Sequence, residues 1–165
     1  YAFGIAGERQ GFFRELGIDI TIQRGFGSAR VPLDMSAGTF DIAMADPTPV
    51  LRFMSQNPNN DLVAVALLWD QAPTAVTVRA DGPITNISQL AGRTLAAPEF
   101  AGGRQVFPAF AAVNNIPLQS INWMSVAPEL RETMLVQRRA DGITGFVTST
   151  ALSLRALGMD LPQQR

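Results

Sequence analysis

The order of apolar and polar residues along the chain predicts alternating helices and strands. Residues 18–23 read IDITIQ, and this period of two is typical of a strand with one buried face. The apolar run at residues 62–69 suits a strand buried on both faces. In the first half the pattern therefore predicts helices at 2–16, 29–37 and 47–54, and strands at 18–23, 40–45, 62–69 and 75–79.

The second half contains the clearest unit, at residues 93–113. Residues 94–97 form a short apolar run, and Ala-Gly-Gly at 101–103 allows a tight turn before apolar residues recur at helical spacing. Such a turn leaves the first N–H groups of the helix free for an anion or another acceptor, although glycine also occurs at helix starts for structural reasons. Strands at 121–126 and 142–147 and helices at 128–137 and 148–157 complete the prediction.

Strands that alternate with helices predict an α/β fold with mainly parallel sheets. The order of elements repeats, and DIAMADPT at residues 41–48 is similar to DGITGFVT at 141–148. We therefore expect two βα lobes with a ligand cleft between them: lobe 1 at residues 1–74, a crossing or hinge strand at 75–82 and lobe 2 at 83–165. In this comparison the first strand of lobe 1 would precede Tyr1, so lobe 1 is expected to be incomplete, and further elements are expected after residue 165.

Composition narrows the function to reversible binding. Thirteen basic and fourteen acidic residues, without a run of like charges, give no electrostatic footprint for nucleic acid. The sequence contains no membrane-spanning run and no signal-peptide pattern. It contains no cysteine and no histidine, which excludes thiolate catalysis and removes the commonest general base and metal ligand. We expect no catalytic residue, no metal and no cofactor.

Several turns are expected to meet at one cleft, because the carboxyl ends of parallel strands share an edge of the sheet. Each candidate also has a structural explanation. Ser28, Asp46 and Thr48 are suited to capping helices, Trp69 suits a core position as well as a cleft, and Arg104 suits a surface position beside Glu99 as well as an anion. The candidate ligand-binding residues are Tyr1, Phe26, Gly27, Ser28, Asp46, Thr48, Trp69, Phe100, Ala101, Gly102, Gly103, Arg104, Phe146 and Thr148.

Four segments carry a resemblance to a known group of proteins. They are GFFRELGIDITI, SAGTFDIAMADPTPVL, ISQLAGRTLAAP and PELRETMLVQRRADGITGF. In order and spacing the chain is similar to the sulfonate, nitrate, taurine and thiamine-pyrimidine group of solute-binding proteins that serve ABC importers. The resemblance implies a type II periplasmic-binding fold, a small-molecule ligand in the interlobe cleft, and hinge closure that delivers the ligand to a membrane permease. It also implies a periplasmic or lipid-anchored extracellular protein that is monomeric at full length and not itself inserted in the membrane.

Two other readings stay open at this point. The effector domain of a LysR-type transcription regulator shares the fold, and an upstream DNA-binding domain would distinguish it from an importer receptor. A thiamine-pyrimidine synthase also resembles these binders, but it depends on histidine and a cysteine-rich segment, which this sequence lacks.

Overall fold

The sheet at the centre of the molecule lies in the second part of the chain. The structure is a computed structural model that describes residues 2–160. Within that range the strands are Thr74–Val78 (β1), Thr94–Ala97 (β2), Asn122–Ser125 (β3) and Gly142–Phe146 (β4). They form one sheet in the order β1-β4-β2-β3, in which β2 pairs in parallel with both β3 and β4, and β1 is antiparallel to β4. The predicted α/β class with mainly parallel pairing is confirmed.

Helices follow the three parallel strands and also make up much of the first half. Gly102–Val113 (α5) follows β2, Arg131–Val136 (α6) follows β3, and Val147–Ala156 (α7) follows β4 directly. Short 3₁₀ turns cover Ile87–Leu90 and Leu118–Ser120. The helices before the sheet are Ala2–Arg9 (α1), Phe12–Glu15 (α2), Val31–Ser36 (α3) and Pro47–Gln56 (α4).

The sheet is covered on both faces, as continuous apolar strands require. Successive side chains of a strand point to opposite faces, so Leu95 packs with Phe107 of α5, whereas Ala96 packs with Leu135 of α6 and Leu154 of α7. Burying a side chain of the size of leucine or phenylalanine stabilises a fold by about 1.5–3 kcal/mol. The apolar contacts on the two faces hold α5, α6 and α7 against the sheet.

Three strands predicted for the first half are not formed. Residues 18–23, 40–45 and 62–69 belong to no ladder in the described chain. A strand needs a neighbour for its backbone groups and a cover for its apolar face, and here Val63 is 80% exposed and Ile42 is 69% exposed. These strand predictions are wrong, because an alternating or apolar pattern does not by itself supply a pairing partner. The strand expected before Tyr1 lies outside the described residues.

The predicted first helix is divided into two. Gly11 has φ +81° and separates α1 from α2, so the helix expected over residues 2–16 is interrupted. The tail at residues 162–165 lies outside the described range. None of the helices between residues 2 and 160 has the length and apolar character needed to cross a bilayer.

Candidate ligand-binding site

One edge of the sheet collects the beginnings of three helices. Strands β2, β3 and β4 run in the same direction and end at Ala97, Ser125 and Phe146, and α5, α6 and α7 start beyond those ends. In open α/β sheets this edge is where ligands bind, because free N–H groups of the helices point into it. Loops from the first half of the chain pack against the same edge.

The first contact is between the turn at Gly27 and the loop before α5. Gly27 has φ +122°, and a methyl group on its Cα would lie 2.3 Å from the carbonyl oxygen of Phe100. The neighbouring Ala29 N–H donates to that same oxygen at 3.1 Å. Only glycine allows this backbone conformation and this close approach, so the turn is fixed to the start of α5.

The second contact is between α5 and a relay in the first half, that is, two successive hydrogen bonds that link Ser28, Asp46 and Thr48. The Asp46 N–H donates to Ser28 Oγ at 3.0 Å, and the Thr48 N–H donates to Asp46 Oδ1 at 2.9 Å. Asp46 thereby caps α4, as the sequence predicted, but Ser28 does not cap α3 as expected, because its oxygen holds Asp46 instead. A methyl group on Gly102 would lie 3.1 Å from Asp46 Cβ and 3.3 Å from Ser28 Oγ. The relay therefore lies directly on the first turn of α5.

The start of α5 has donors without acceptors. Its N-terminal flank, the buried Ala101, offers no side-chain cap, and the N–H groups of Gly102 and Gly103 donate to no group in residues 2–160. A twelve-residue helix carries roughly half a positive charge at this end. An acceptor-rich group of a ligand would satisfy these donors.

Two buried hydroxyl groups beside Gly103 are also unpartnered. Thr144, with 1% of its surface exposed, and Thr74 each have an Oγ1 atom that is buried and has no hydrogen-bond partner in the described chain. A methyl group on Gly103 would lie 3.1 Å from Thr74 Cγ2 and 3.4 Å from Thr144 Oγ1. Leaving a buried hydroxyl unpaired costs about 1–3 kcal/mol, so each of these groups requires a hydrogen-bond partner, which a bound molecule can supply.

An aromatic pair lies at the end of β4. The rings of Trp69 and Phe146 are 6.2 Å apart with an interplanar angle of 47°. Trp69 is 45% exposed and so occupies the sheet edge rather than the core. The Val147 N–H donates to the carbonyl oxygen of Pro73 at 2.8 Å, which ties the start of α7 to the chain just before β1. The two tilted rings offer an apolar surface beside the hydroxyl groups.

The side chains of the remaining described candidate residues lie away from the start of α5 and the aromatic pair. Phe26 is 65% exposed, and Thr48 and Thr148 are exposed in the first turns of α4 and α7. Arg104 places its guanidinium 4.9 Å from the ring centre of Trp123 and donates to Ser125 Oγ at 2.7 Å. It lines a surface groove with Pro108 and Leu118, away from the first-half loops. Tyr1 lies outside the described residues.

The family of the chain follows from its sequence. A model of the NMT1/THI5-like family matches residues 1–163. The chain belongs to the NMT1/THI5-like family. No curated protein matches it.

Two solved structures with the same fold belong to proteins longer than this NMT1/THI5-like chain. The alkanesulfonate-binding protein SsuA from Xanthomonas axonopodis pv. citri, described as bound to MOPS, superposes with a TM-score of 0.69 at 15% identity, covering 93% of this chain and 53% of that protein. The periplasmic aliphatic sulphonate binding protein SsuA from Escherichia coli gives 0.66 at 14% identity, covering 91% and 49%. The chain thus spans about half the length of these structures. Both are described as binding proteins, and the expected periplasmic-binding fold is confirmed.

Four residues of this NMT1/THI5-like chain lie near the same sheet edge and are not among the candidates predicted from sequence. Thr74 and Thr144 belong to β1 and β4, and the sequence pattern gave no signal for a polar site at either position. Arg131 and Glu132, within the quoted PELRETMLV segment, form an ion pair at the start of α6. Thr74 and Thr144 lie on the α5 face of the sheet beside Gly103, whereas Arg131 lies beside Gly145 on the α6 and α7 face at the same edge. Residues 2–160 contain no acidic cluster that could hold a metal ion.

Proposed function

We propose that this chain is the ligand-binding part of an ABC-importer receptor that reversibly binds a small organic molecule between its two halves. One observation carries the proposal: the uncapped start of α5, with the unpartnered hydroxyl groups of Thr74 and Thr144, lies where the first-half loops meet the sheet edge. Donors without acceptors at such an edge suit binding rather than bond breaking. Family membership supports this function over a LysR-type effector domain.

The ligand in this proposal has two chemical parts. A carboxylate or sulfonate would accept from Gly102 and Gly103 and benefit from the α5 dipole. A ring or alkyl portion would pack on Trp69 and Phe146, as apolar surfaces do in most small-molecule sites. MOPS, which the Xanthomonas structure contains, joins a sulfonate to a saturated ring and is a suitable first probe. A neutral heteroaromatic such as a thiamine pyrimidine precursor is the second class to test.

The division into lobes at 1–74, 75–82 and 83–165 is part of the proposal. Strand β1 pairs with β4 along its full length, which supports a boundary near residue 74. Closure of the lobes would bring Gly27, Ser28 and Asp46 onto the ligand. We further propose a periplasmic or lipid-anchored receptor, monomeric at full length, that delivers its ligand to a permease.

The experiment is a binding screen on the full-length protein. Native mass spectrometry would detect a co-purified ligand, and calorimetry with alkanesulfonates, carboxylates and heteroaromatic compounds would measure affinity. We expect at least one compound to bind with an increase in melting temperature, since a ligand specific for the folded state stabilises it by mass action. If nothing co-purifies and no compound binds, the receptor function is contradicted.

A further inference from the structure

Arg131 lies at the sheet edge where the proposed ligand binds. Strand β3 ends at Ser125, and α6 begins at Arg131. The guanidinium group reaches across to β4, because a methyl group on Gly145 would lie 2.7 Å from Arg131 Nη1 and 2.8 Å from Cζ. The absence of a side chain at Gly145 therefore makes room for the guanidinium beside the start of α7.

The hydrogen bonds of Arg131 leave one of its nitrogen atoms free. Nε donates to Glu132 Oε1 at 3.1 Å, and Nη2 donates to the same oxygen and, at 3.4 Å, to Thr150 Oγ1. Nη1 donates to no group within residues 2–160, and 16% of the side chain is exposed. Two nitrogens thus hold the group in place, while Nη1 lies beside Gly145 without a hydrogen-bond partner in the described chain.

A purely structural role explains this arrangement poorly. Arg131 and Glu132 are adjacent in sequence, so their ion pair closes no long loop. Buried ion pairs can often be replaced by apolar residues without loss of stability, which makes them weak evidence for a stabilising purpose. The buried Glu132 carboxylate does, however, fix the direction of the guanidinium, and a fixed guanidinium recognises carboxylates and sulfonates well.

The first half of the chain faces this position. Arg24 lies 3.8 Å from Glu129, two residues before Arg131, in an exposed ion pair. Together with the contacts at Gly27 and Asp46, this pair shows that first-half loops extend from the start of α5 to the start of α6. The contact between the halves therefore reaches Glu129, two residues before Arg131.

We propose that Arg131 is a specificity-determining residue that binds an anionic oxygen of the ligand, and that Glu132 is its positioning residue. This assignment rests on the proposed function and makes it narrower: the ligand is a small organic anion with a carboxylate or sulfonate group. The guanidinium supplies the full positive charge, and the start of α5 supplies neutral donors. A neutral analogue of the same shape would lose only its attraction to the charged guanidinium group.

The test compares propane-1-sulfonate with propane-1-sulfonamide, its uncharged analogue, by calorimetry on the full-length protein. The double variant Arg131→Met/Glu132→Gln removes the cation without leaving a buried carboxylate unpaired. We expect sulfonate affinity to fall about ten- to a hundredfold, the range for a hydrogen bond to a charged group, with sulfonamide affinity and melting temperature unchanged. The matched control is Arg139→Met, an exposed arginine just beyond the other end of α6, which should bind as the wild type does.

Two single variants test the positioning role. Glu132→Gln keeps the cation but frees its orientation, and Gly145→Ala displaces the guanidinium; each should lower the sulfonate-to-sulfonamide affinity ratio, a quantity that a purely structural role leaves unchanged. Unchanged sulfonate affinity in the double variant would overturn the assignment. Wild-type binding of neutral compounds without any anion would overturn it and leave the receptor function intact. Failure of the wild type to bind either class would contradict both.

Discussion

Residues 94–97 and residues 62–69 are both short apolar runs, but only the first is enclosed. Leu95 and Ala96 are fully buried between α5 on one face and α6 and α7 on the other. Val63 and Val65 are exposed and pair with no strand in the described chain. The difference teaches that an apolar run becomes a strand only where neighbours satisfy its backbone and helices cover its faces. The proposed ligand site lies at the boundary between these two environments.

The largest effect is expected in the enclosed region. Phe107→Ala should lower the free energy of unfolding by about 3–5 kcal/mol, because Phe107 is 2% exposed and joins α5 to the sheet. The matched change in the exposed region, Val63→Ala, should alter it by less than about 0.5 kcal/mol. Urea unfolding measures both values. Equal losses would show that residues 62–69 are as well packed as the sheet.

A second effect is expected where the two regions touch. Gly27→Ala should cost about 3 kcal/mol, because it adds a clash with the Phe100 carbonyl to the strain of a positive φ. Gly38 also has a positive φ but no atom within 4 Å of an added methyl group, so Gly38→Ala should cost only about 1–2 kcal/mol. Similar losses for the two variants would mean that the contact with Phe100 does not matter.

The cap of α4 gives a smaller effect. Asp46→Ala should cost about 1 kcal/mol through loss of the bond from the Thr48 N–H. The exposed Asp41 makes no such bond in the described chain, and Asp41→Ala should be close to neutral. Thermal unfolding compares them. A neutral Asp46→Ala would show that α4 does not depend on its cap.

The smallest effect concerns pH, far from the site. A hydrogen bond from Arg79, aided by Arg138, lowers the pKa of Asp81 to about 2 from its ordinary 3.8. A carboxylate with a lowered folded-state pKa stabilises the fold above its unfolded pKa, and that contribution is lost as pH falls from about 4 towards 2. The difference in stability between wild type and Asp81→Asn should therefore shrink over this window, and added salt should reduce it, because Asp81 is exposed. A constant difference across these pH values would contradict the assigned cause.

Much of the second half could be predicted from sequence because local pattern and final burial agree there. The run at 94–97 and residues 142–146 of the run at 142–147 form strands, and the glycine pair after Pro98 begins a helix as expected. Asp46 was identified as a cap from its neighbour Pro47. Local pattern could not show that Ser28 accepts from Asp46, or that Arg104 stacks on Trp123, because those partners are set by the tertiary fold. For the same reason it did not indicate Thr74, Thr144 or Arg131.

The most direct test of the central claim is hydrogen–deuterium exchange of the full-length protein with and without a bound ligand from the screen. If the ligand binds between the halves at the start of α5, protection should increase in residues 26–29, 46–48, 100–105 and 144–149, which include the N–H groups of Gly102 and Gly103. Protection confined to other segments, such as the groove at residues 118–123, would contradict the account.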